Sequence, residues 1–160
     1  MAIVLDILRH AQAGPTGPGG DRERSLTPAG ERVLAGLAAQ LARGPRPDRV
    51  FASPYARAQQ TARIVAGMAD PPLEVETLAA LEPDREPAQV LDALAAAGVT
   101  AGHVLVVGHQ PLLGRLAAHV AGAEPHLSPA TLVRVECPGG LAEGAGRIVL
   151  SLPPENPAHA

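Results

Sequence analysis

The sequence predicts an α/β fold, a three-layer α/β/α sandwich in which a mostly parallel central sheet has helices on both faces. Short apolar runs alternate along the chain with longer segments whose apolar residues recur at helical spacing. The run at 104–107 is wholly apolar, as expected for a parallel strand covered on both faces. Two final apolar runs, 131–135 and 147–150, are joined by a Gly-rich turn and predict an antiparallel strand at one edge of the sheet.

Two pairs of a hydroxyl residue and a proline predict helix starts in the first half of the chain. Threonine caps the free N–H groups of a first turn and proline fits that turn, so Thr27 and Pro28 favour a helix start. Ser53 and Pro54 favour a second start for the same reason. The elements predicted in this half are a strand at 3–8, a Gly/Pro-rich loop at 14–20, a helix from 28 that ends before 44, a strand at 49–52, a helix from 54 and a strand at 73–76.

The second half of the chain contains two further predicted helices. A segment rich in charge and proline leads into a helix over 87–97, which Gly98 ends. The other helix begins at Pro111, shortly after the apolar strand. Residues 1–152 are expected to form a single domain, because about 150 residues is an ordinary domain length. Residues 153–160 are expected to be a flexible tail.

The composition excludes several classes of protein. With 46% hydrophobic and 18% charged residues, the chain can bury a core and is not disordered. A net charge of -3 provides no basic surplus for binding nucleic acid. No apolar run reaches transmembrane length and no basic segment precedes the first strand, so we expect no membrane partner, no signal peptide and a cytoplasmic location. Cys137 is the single cysteine and can form no disulfide within the chain.

Polar residues with catalytic potential follow three of the predicted strands. In an open α/β sheet, ligands bind just beyond the carboxyl ends of the strands, so side chains at these ends meet in one place. The sequence therefore predicts one site assembled from distant segments. Its members are Arg9 and His10 after the first strand, Ser53 and, one helical turn on, Arg57 after the second, and Gly108 and His109 after the strand at 104–107.

This set of residues suits a phosphate ligand. Arginine binds phosphate oxygens bidentately, and the free N–H groups at a helix N-terminus favour anions. A neutral imidazole nitrogen can attack phosphorus and form a phosphohistidine that water later cleaves, provided that the other ring nitrogen is held. The arginines supply positive charge around the phosphoryl oxygens. No cluster of Asp and His has the spacing of a metal site, so no metal and no cofactor is expected.

Three motifs, in chain order, resemble those of the histidine phosphatase superfamily. Arg9-His10-Ala11 is similar to the Arg-His-Gly that ends the family's first strand, and Gly108-His109 is similar to its late Gly-His or Ser-His. Residues 53–61, Ser-Pro-Tyr-Ala-Arg-Ala-Gln-Gln-Thr, are similar to its Ser-Pro-x-x-Arg-Ala-x-x-Thr helix start. The short chain and residues 24–30, Arg-Ser-Leu-Thr-Pro-Ala-Gly, look most like the SixA branch, the bacterial phosphohistidine phosphatases. The resemblance covers nearly the whole chain.

The resemblance implies a role for each matched residue. His10 would be the nucleophile, and Arg9, Arg57 and His109 would hold the phosphoryl group. Ala11 stands where the family usually has glycine. Its Cβ disfavours a positive φ, and we expect the change to be tolerated because the SixA-like branch is less strict there.

Three further residues are expected to bind substrate. Ser53 and Gly108 lie at strand ends beside the matched residues. Arg24 matches a SixA-branch position close to the pocket, although its place before a helix cap is equally typical of a solvated side chain. Outside the site, Asp6 interrupts the apolar first strand and is expected to be solvent-facing or paired, and His103 is expected to be structural or solvent-facing.

The proton donor is the least defined role. Family members with bulky substrates use a glutamate in the middle of the chain, and the candidates here are Glu82, Asp84 and Glu86. We take Glu82 as the candidate acid. A phosphoimidazole is already a good leaving group, so a strong general acid is less necessary for such a substrate.

The resemblance and the residues together predict a metal-independent phosphohydrolase that acts through a phosphohistidine intermediate. The favoured substrate is phosphohistidine on a signalling or carrier protein, because a 160-residue chain leaves little room for a large lid that encloses small substrates. One alternative is a small-molecule phosphomonoesterase acting on sugar or nucleotide-derived phosphates. The other is a catalytically silent phosphoprotein-binding module, which could dispense with the nucleophile His10.

Overall fold

The structure is a computed structural model that describes residues 1–16 and 18–154. In these residues the chain forms six strands, four α-helices and two short 3-10 turns. The strands are β1 (Ile3–Arg9), β2 (Arg49–Ala52), β3 (Val75–Thr77), β4 (Gly102–Gly108), β5 (Leu132–Cys137) and β6 (Arg147–Leu152). The helices are α1 (Pro28–Leu41), α2 (Ala56–Gly67), α3 (Pro87–Ala96) and α4 (Leu112–Ala121), and the 3-10 turns are Asp21–Glu23 and Ala79–Leu81.

The six strands form one mixed sheet in the order β3-β2-β4-β1-β5-β6. The pairs β1–β4, β4–β2 and β2–β3 are parallel, whereas β5 runs antiparallel to both β1 and β6. The predicted sheet, mostly parallel with antiparallel pairing at one edge, is therefore confirmed.

Helices cover both faces of this sheet and make the predicted three layers. The side chains of β4 alternate between the faces: Val104 and Val106 belong to the core beneath α3 and α4, and Leu105 and Val107 belong to the core beneath α1 and α2. This alternation explains why the strand is wholly apolar, since both of its faces are buried.

Helix starts and strand ends differ from the prediction where side chains have tertiary partners. The Thr27 side chain caps α1 by accepting from the Gly30 N–H at 3.0 Å, as predicted. The second helix starts at Ala56 instead of residue 54, because the Ser53 hydroxyl is held at the sheet and Tyr55 is the N-cap. The strand predicted at 73–76 is shifted to β3, since the Leu73 N–H still bonds to the end of α2.

The remaining differences are small changes in element length. The strand predicted at 104–107 extends over all of β4, and the two closing strands each end two residues later than predicted. The last predicted helix starts at Leu112, with Pro111 as its N-cap. The predicted tail, residues 153–160, lies mostly outside the described residues.

Candidate active site

The carboxyl ends of β1, β2 and β4 meet and bring the predicted residues together. Arg9 pairs with Gly108 across β1 and β4. Just beyond the strands, the His10 N–H donates to the Gly108 carbonyl at 3.0 Å, and the Ser53 N–H donates to the Val107 carbonyl at 3.0 Å. The sheet's backbone hydrogen bonds therefore fix the positions of segments that are about 50 and 100 residues apart in sequence.

His10 is held as a neutral imidazole whose Nε2 lone pair faces Arg57 and accepts a hydrogen bond from it. Its Nδ1–H donates to the Ala11 carbonyl at 2.7 Å, which leaves Nε2 without a proton. Nε2 lies 3.3 Å from the donor Nε of Arg57. Burial first, and then the charges of Arg57, Arg9 and Arg24, lower the pKa of His10 to about 4, although its bond to Ala11 acts in the opposite direction. The ring is therefore uncharged at neutral pH.

The segment after His10 is tied to α2 through Thr61. The Ala11 N–H donates to the Thr61 hydroxyl oxygen at 3.1 Å, and that hydroxyl donates to the Arg57 carbonyl at 2.7 Å. Ala11 is not among the residues with positive φ, and its side chain is fully buried in the core beneath α1 and α2. Alanine fits here because the backbone does not need glycine's freedom.

Arg57 reaches the site from the first turn of α2. Its side chain is buried, and its Nε faces His10. The two outer nitrogens are both bonded to Asp21: Nη1 to the backbone carbonyl at 2.8 Å and Nη2 to Oδ2 at 3.2 Å. The guanidinium therefore presents its Nε edge to His10.

Arg9 is anchored at one nitrogen and free at another. Its Nη1 donates to the Leu127 carbonyl at 2.8 Å. Its Nε is buried and has no hydrogen-bond partner. Burial first and the charge of Arg57 second lower the pKa of Arg9, so the two guanidinium groups repel each other across the site. An anion placed between them would relieve that repulsion.

His109 completes the pocket and also has an unpaired nitrogen. Its ring centroid lies 5.2 Å from that of His10 and 5.1 Å from that of Tyr55. Its Nε2 lies 2.8 Å from the Ser53 hydroxyl oxygen. That oxygen accepts a hydrogen bond from the Tyr55 N–H at 3.3 Å. Burial first, and then His10, Arg57 and Arg9, lower the pKa of His109 to about 3, with Asp21 acting in the opposite direction.

In the part of the chain that the structure describes, two buried side-chain nitrogen or oxygen atoms lack a partner, and both lie in this site. They are Arg9 Nε and His109 Nδ1. In the tautomer where the Ser53 hydroxyl donates to His109 Nε2, Nδ1 carries the ring proton and is a donor. Buried polar groups are almost always paired in proteins, so these two nitrogens are open positions for a ligand.

The residues expected to bind substrate differ in how they reach the pocket. The Ser53 hydroxyl touches His109, whereas Gly108 takes part through its backbone, and a Cβ there would lie 3.3 Å from the Leu81 carbonyl. Arg24 lies at the edge of the site: its Nε donates to the Gly14 carbonyl at 2.7 Å and its Nη1 to Asp21 Oδ1 at 3.1 Å.

The candidate acid Glu82 is fixed by two arginines. Its carboxylate accepts from Arg85 at 3.0 Å and from Arg22 at 3.1 Å. These bonds, Arg85 first, hold the pKa of Glu82 below its usual range, although partial burial acts to raise it. The carboxyl is therefore ionised at neutral pH and carries no proton to donate. Of the other candidates, Glu86 caps α3.

Three residues of the site were not assigned a role from the sequence. Asp21 holds Arg57, Thr61 joins α2 to the segment after His10, and Tyr55 packs its ring against His109. Thr61 could have been found because it ends the motif at 53–61. Asp21 stands three residues before Arg24, a spacing typical of an ion pair in a helical turn, but nothing local indicates Arg57 as its second partner.

In 1–16 and 18–154, no group of three or more His, Cys, Asp or Glu side chains is placed to hold a metal ion. Among the helices of the same residues, none has the length and apolar character needed to cross a membrane.

Comparison with known proteins shows which proteins this chain is similar to. The family model of the histidine phosphatase superfamily (branch 1) matches residues 5–82. A solved structure of the protein histidine phosphatase SixA complexed with tungstate is 30% identical, with a TM-score of 0.79 over 94% of this chain and 97% of that chain. A candidate phosphohistidine phosphatase SixA from Nakamurella multipartitia is 25% identical, with a TM-score of 0.82 over 98% of both chains. A search of curated protein sequences finds no match.

More distant structures share the fold alone. A phosphoserine phosphatase from Entamoeba histolytica is 15% identical, with a TM-score of 0.70 over 93% of this chain and 96% of that chain. The match at 30% identity extends over 97% of the SixA structure and 94% of this chain. The chain is therefore a phosphatase and belongs to the histidine phosphatase superfamily.

Proposed function

We propose that this phosphatase acts through a phosphohistidine intermediate on His10 and removes phosphoryl groups from phosphohistidine in proteins. The observation that carries the mechanism is the bond from His10 Nδ1–H to the Ala11 carbonyl, at 2.7 Å. It fixes the tautomer in which Nε2 holds a lone pair, and burial keeps that nitrogen unprotonated at neutral pH.

The reaction has two steps. In the first, His10 Nε2 attacks phosphorus, the N–P bond forms, and the bond to the leaving imidazole breaks with its electron pair. In the second, water attacks the phosphorus, its proton goes to the released phosphate, and the N–P electron pair returns to Nε2. Arg57 Nε lies beside Nε2, and Arg9 Nε and His109 Nδ1 are unpaired; in this proposal all three donate to the phosphoryl oxygens and stabilise charge in both transition states.

The ionised state of Glu82 supports a substrate whose leaving group departs without protonation by a strong acid. An alkoxide leaving group needs a proton, whereas an imidazole that is protonated on its other nitrogen leaves as a neutral molecule. Because Arg85 and Arg22 hold Glu82 as a carboxylate, it is poorly suited to protonate an alkoxide. Two of the similar structures are described as SixA phosphatases of protein histidine or phosphohistidine, which supports the same substrate class.

Hydrolysis of a phosphohistidine-bearing carrier protein, measured against a panel of sugar, nucleotide and other alkyl phosphomonoesters, tests this proposal. We expect the phosphoprotein to be the better substrate by kcat/KM. Glu82→Gln is expected to change phosphoprotein turnover by less than about threefold, since the leaving group needs no proton from it. Glu23→Gln, which removes one negative charge nearby, is the matched control.

The contrary outcome is efficient hydrolysis of small phosphomonoesters, with none of the phosphoprotein and a large loss in Glu82→Gln. That result would make the enzyme a small-molecule phosphatase with Glu82 as its acid. The same assay after exhaustive chelation should show full activity, because arginines supply the positive charge at the phosphoryl oxygens. Activity that is lost with chelator and restored by a divalent ion would contradict a metal-independent mechanism.

A further inference from the structure

Asp21 is the one carboxylate that touches the phosphate-binding arginines among the described residues. It lies in the first 3-10 turn, at the border of the site, and its side chain is about half exposed. Oδ2 accepts from Arg57 Nη2 at 3.2 Å, Oδ1 accepts from Arg24 Nη1 at 3.1 Å, and the backbone carbonyl accepts from Arg57 Nη1 at 2.8 Å. The Asp21 carboxylate is negatively charged, so its place beside arginines that would bind a phosphate needs an explanation.

The geometry of the Arg57 guanidinium supplies one. The group is planar and rigid, so fixing one edge fixes the direction of every other N–H. Asp21 occupies the edge formed by Nη1 and Nη2, and the opposite end, Nε, lies 3.3 Å from His10 Nε2. The Nε–H can therefore reach the phosphoryl group on His10 while the outer edge stays bonded to Asp21.

The position of Asp21 is itself fixed by its neighbours. Arg24 holds Oδ1 and also donates through Nε to the Gly14 carbonyl at 2.7 Å. The Gly14 N–H in turn donates to the Ser25 carbonyl at 2.9 Å, which closes the loop on itself. Asp21 is thus a fixed support for Arg57 and not a freely moving surface group.

Resting on the proposed function, we propose that Asp21 is a positioning residue that aims the Arg57 Nε–H at the phosphoryl group on His10. The alternative is that its carboxylate competes with the substrate for Arg57. Because the carboxylate lies on the outer edge of the guanidinium and is half exposed, water screens its repulsion of the substrate, whereas the loss of alignment acts directly on the transferred group. Positioning is therefore the larger effect.

A double-mutant cycle tests the proposal. Arg57→Ala is expected to lower kcat by about 30- to 1,000-fold, as removal of one preorganised donor does. Asp21→Asn is expected to lower kcat by about tenfold, with a smaller change in KM, because one charged hydrogen bond is weakened while the backbone bond to Arg57 remains. In the Arg57→Ala background, Asp21→Asn should cause no further loss, since Asp21 acts through Arg57. Glu23→Gln, in the same turn, is the charge-matched control and should turn over as the wild type does.

Tungstate binding, measured by calorimetry, provides a readout that does not require turnover. Asp21→Asn should weaken tungstate binding in the wild-type background and leave it unchanged in the Arg57→Ala background. If no phosphorylated substrate is turned over but this pattern holds, the proposed function fails and the positioning role stands. Tighter tungstate binding with unchanged kcat in Asp21→Asn would overturn the proposal in favour of competition. An equal loss in both backgrounds would show that Asp21 acts independently of Arg57.

Discussion

Two largely buried polar clusters, each with histidine and arginine, lie along β1, β4 and β5, and they differ in one group. At the carboxyl ends lie Arg9, His10 and His109, whose histidines have no carboxylate partner. Nearer the amino ends, Asp6 accepts from His103 Nε2 at 2.6 Å and from Arg134 Nε at 2.7 Å and Nη2 at 3.0 Å. A carboxylate therefore completes the second cluster, whereas the Asp21 carboxylate at the border of the site bonds to Arg57 and Arg24 and not to Arg9, His10 or His109.

The difference separates a structural cluster from a binding one. Although burial acts to raise it, the bonds from His103 and then Arg134 hold the pKa of Asp6 below its usual range. In the active site, burial and neighbouring arginines lower the pKa of both histidines, and two donor nitrogens stay unpaired. The types of residue in a cluster do not by themselves identify a binding site. Unpaired hydrogen-bonding groups and uncompensated positive charge identify it.

Replacing His10, the proposed nucleophile, is expected to have the largest effect on chemistry. His10→Ala should lower turnover by about 10⁴-fold or more, since the covalent route through Nε2 is lost. Wild-type protein mixed with a reactive phosphoryl donor should carry an acid-labile, base-stable label, and the variant should carry none. Circular dichroism checks that the variant is folded. Turnover near the wild-type rate in His10→Ala would refute the phosphohistidine intermediate.

Breaking the cluster around Asp6 should lower stability and leave turnover unchanged. Asp6→Asn removes the carboxylate that bonds to the partly buried Arg134, which is expected to lower the free energy of unfolding by about 1.5–3 kcal/mol. Turnover per folded molecule should be unchanged, because the cluster lies away from the strand ends that form the site. Denaturant unfolding and kcat on the same samples give both values. A loss of kcat at unchanged stability would show that the two clusters are coupled.

As the pH is lowered, the histidines of the site should be the first groups through which the protein loses stability. Between the ordinary histidine value of 6.5 and about 4, the folded His10 stays neutral while the unfolded chain binds a proton. Stability must therefore fall as the pH drops through this range, by about 3 kcal/mol for a shift of this size. His109, lowered to about 3, adds in the same direction.

The two clusters should lose their contributions to stability over different pH ranges. Asp6 has a lowered pKa, so its contribution to stability is present above its ordinary value of 3.8 and is lost only below it. Unfolding free energies measured from pH 7 to pH 4 should thus decline in the wild type and decline less in a His10→Gln, His109→Gln double variant. An equal decline in both proteins would mean that the histidines are not the acid-sensitive groups.

The sequence predicted those parts of the molecule that depend on local pattern. The Thr27 cap, the apolar strand before His109 and the polar residues at three strand ends are all readable from neighbours in the chain. The sheet then brings such ends together by a general rule, so the grouping of Arg9, His10 and His109 needed no knowledge of the tertiary structure.

The parts that were missed depend on partners distant in sequence. Ser53 has the chemistry of a helix cap, yet its hydroxyl bonds to His109, 56 residues away, and the helix starts later. Asp6 meets His103 and Arg134 across 97 and 128 residues, through strand register that no local pattern encodes. The unpaired state of Arg9 Nε likewise depends on the complete packing around it.

The smallest expected effect comes from Ala11, which has both a structural role in the core and a role in the site. Its methyl group is a core group, whereas its carbonyl fixes the His10 tautomer. Ala11→Gly removes a buried methyl and adds freedom to the unfolded chain, so it should lower the free energy of unfolding by about 1–2 kcal/mol. Turnover should stay at the wild-type level because the carbonyl remains. Ala35→Gly, at an exposed position in α1, is the control, with about 1 kcal/mol of destabilisation from helix propensity alone and no contact with the site. A fall in kcat for Ala11→Gly, absent in Ala35→Gly, would show that packing of this methyl group holds the carbonyl against His10 Nδ1 and is part of the catalytic machinery.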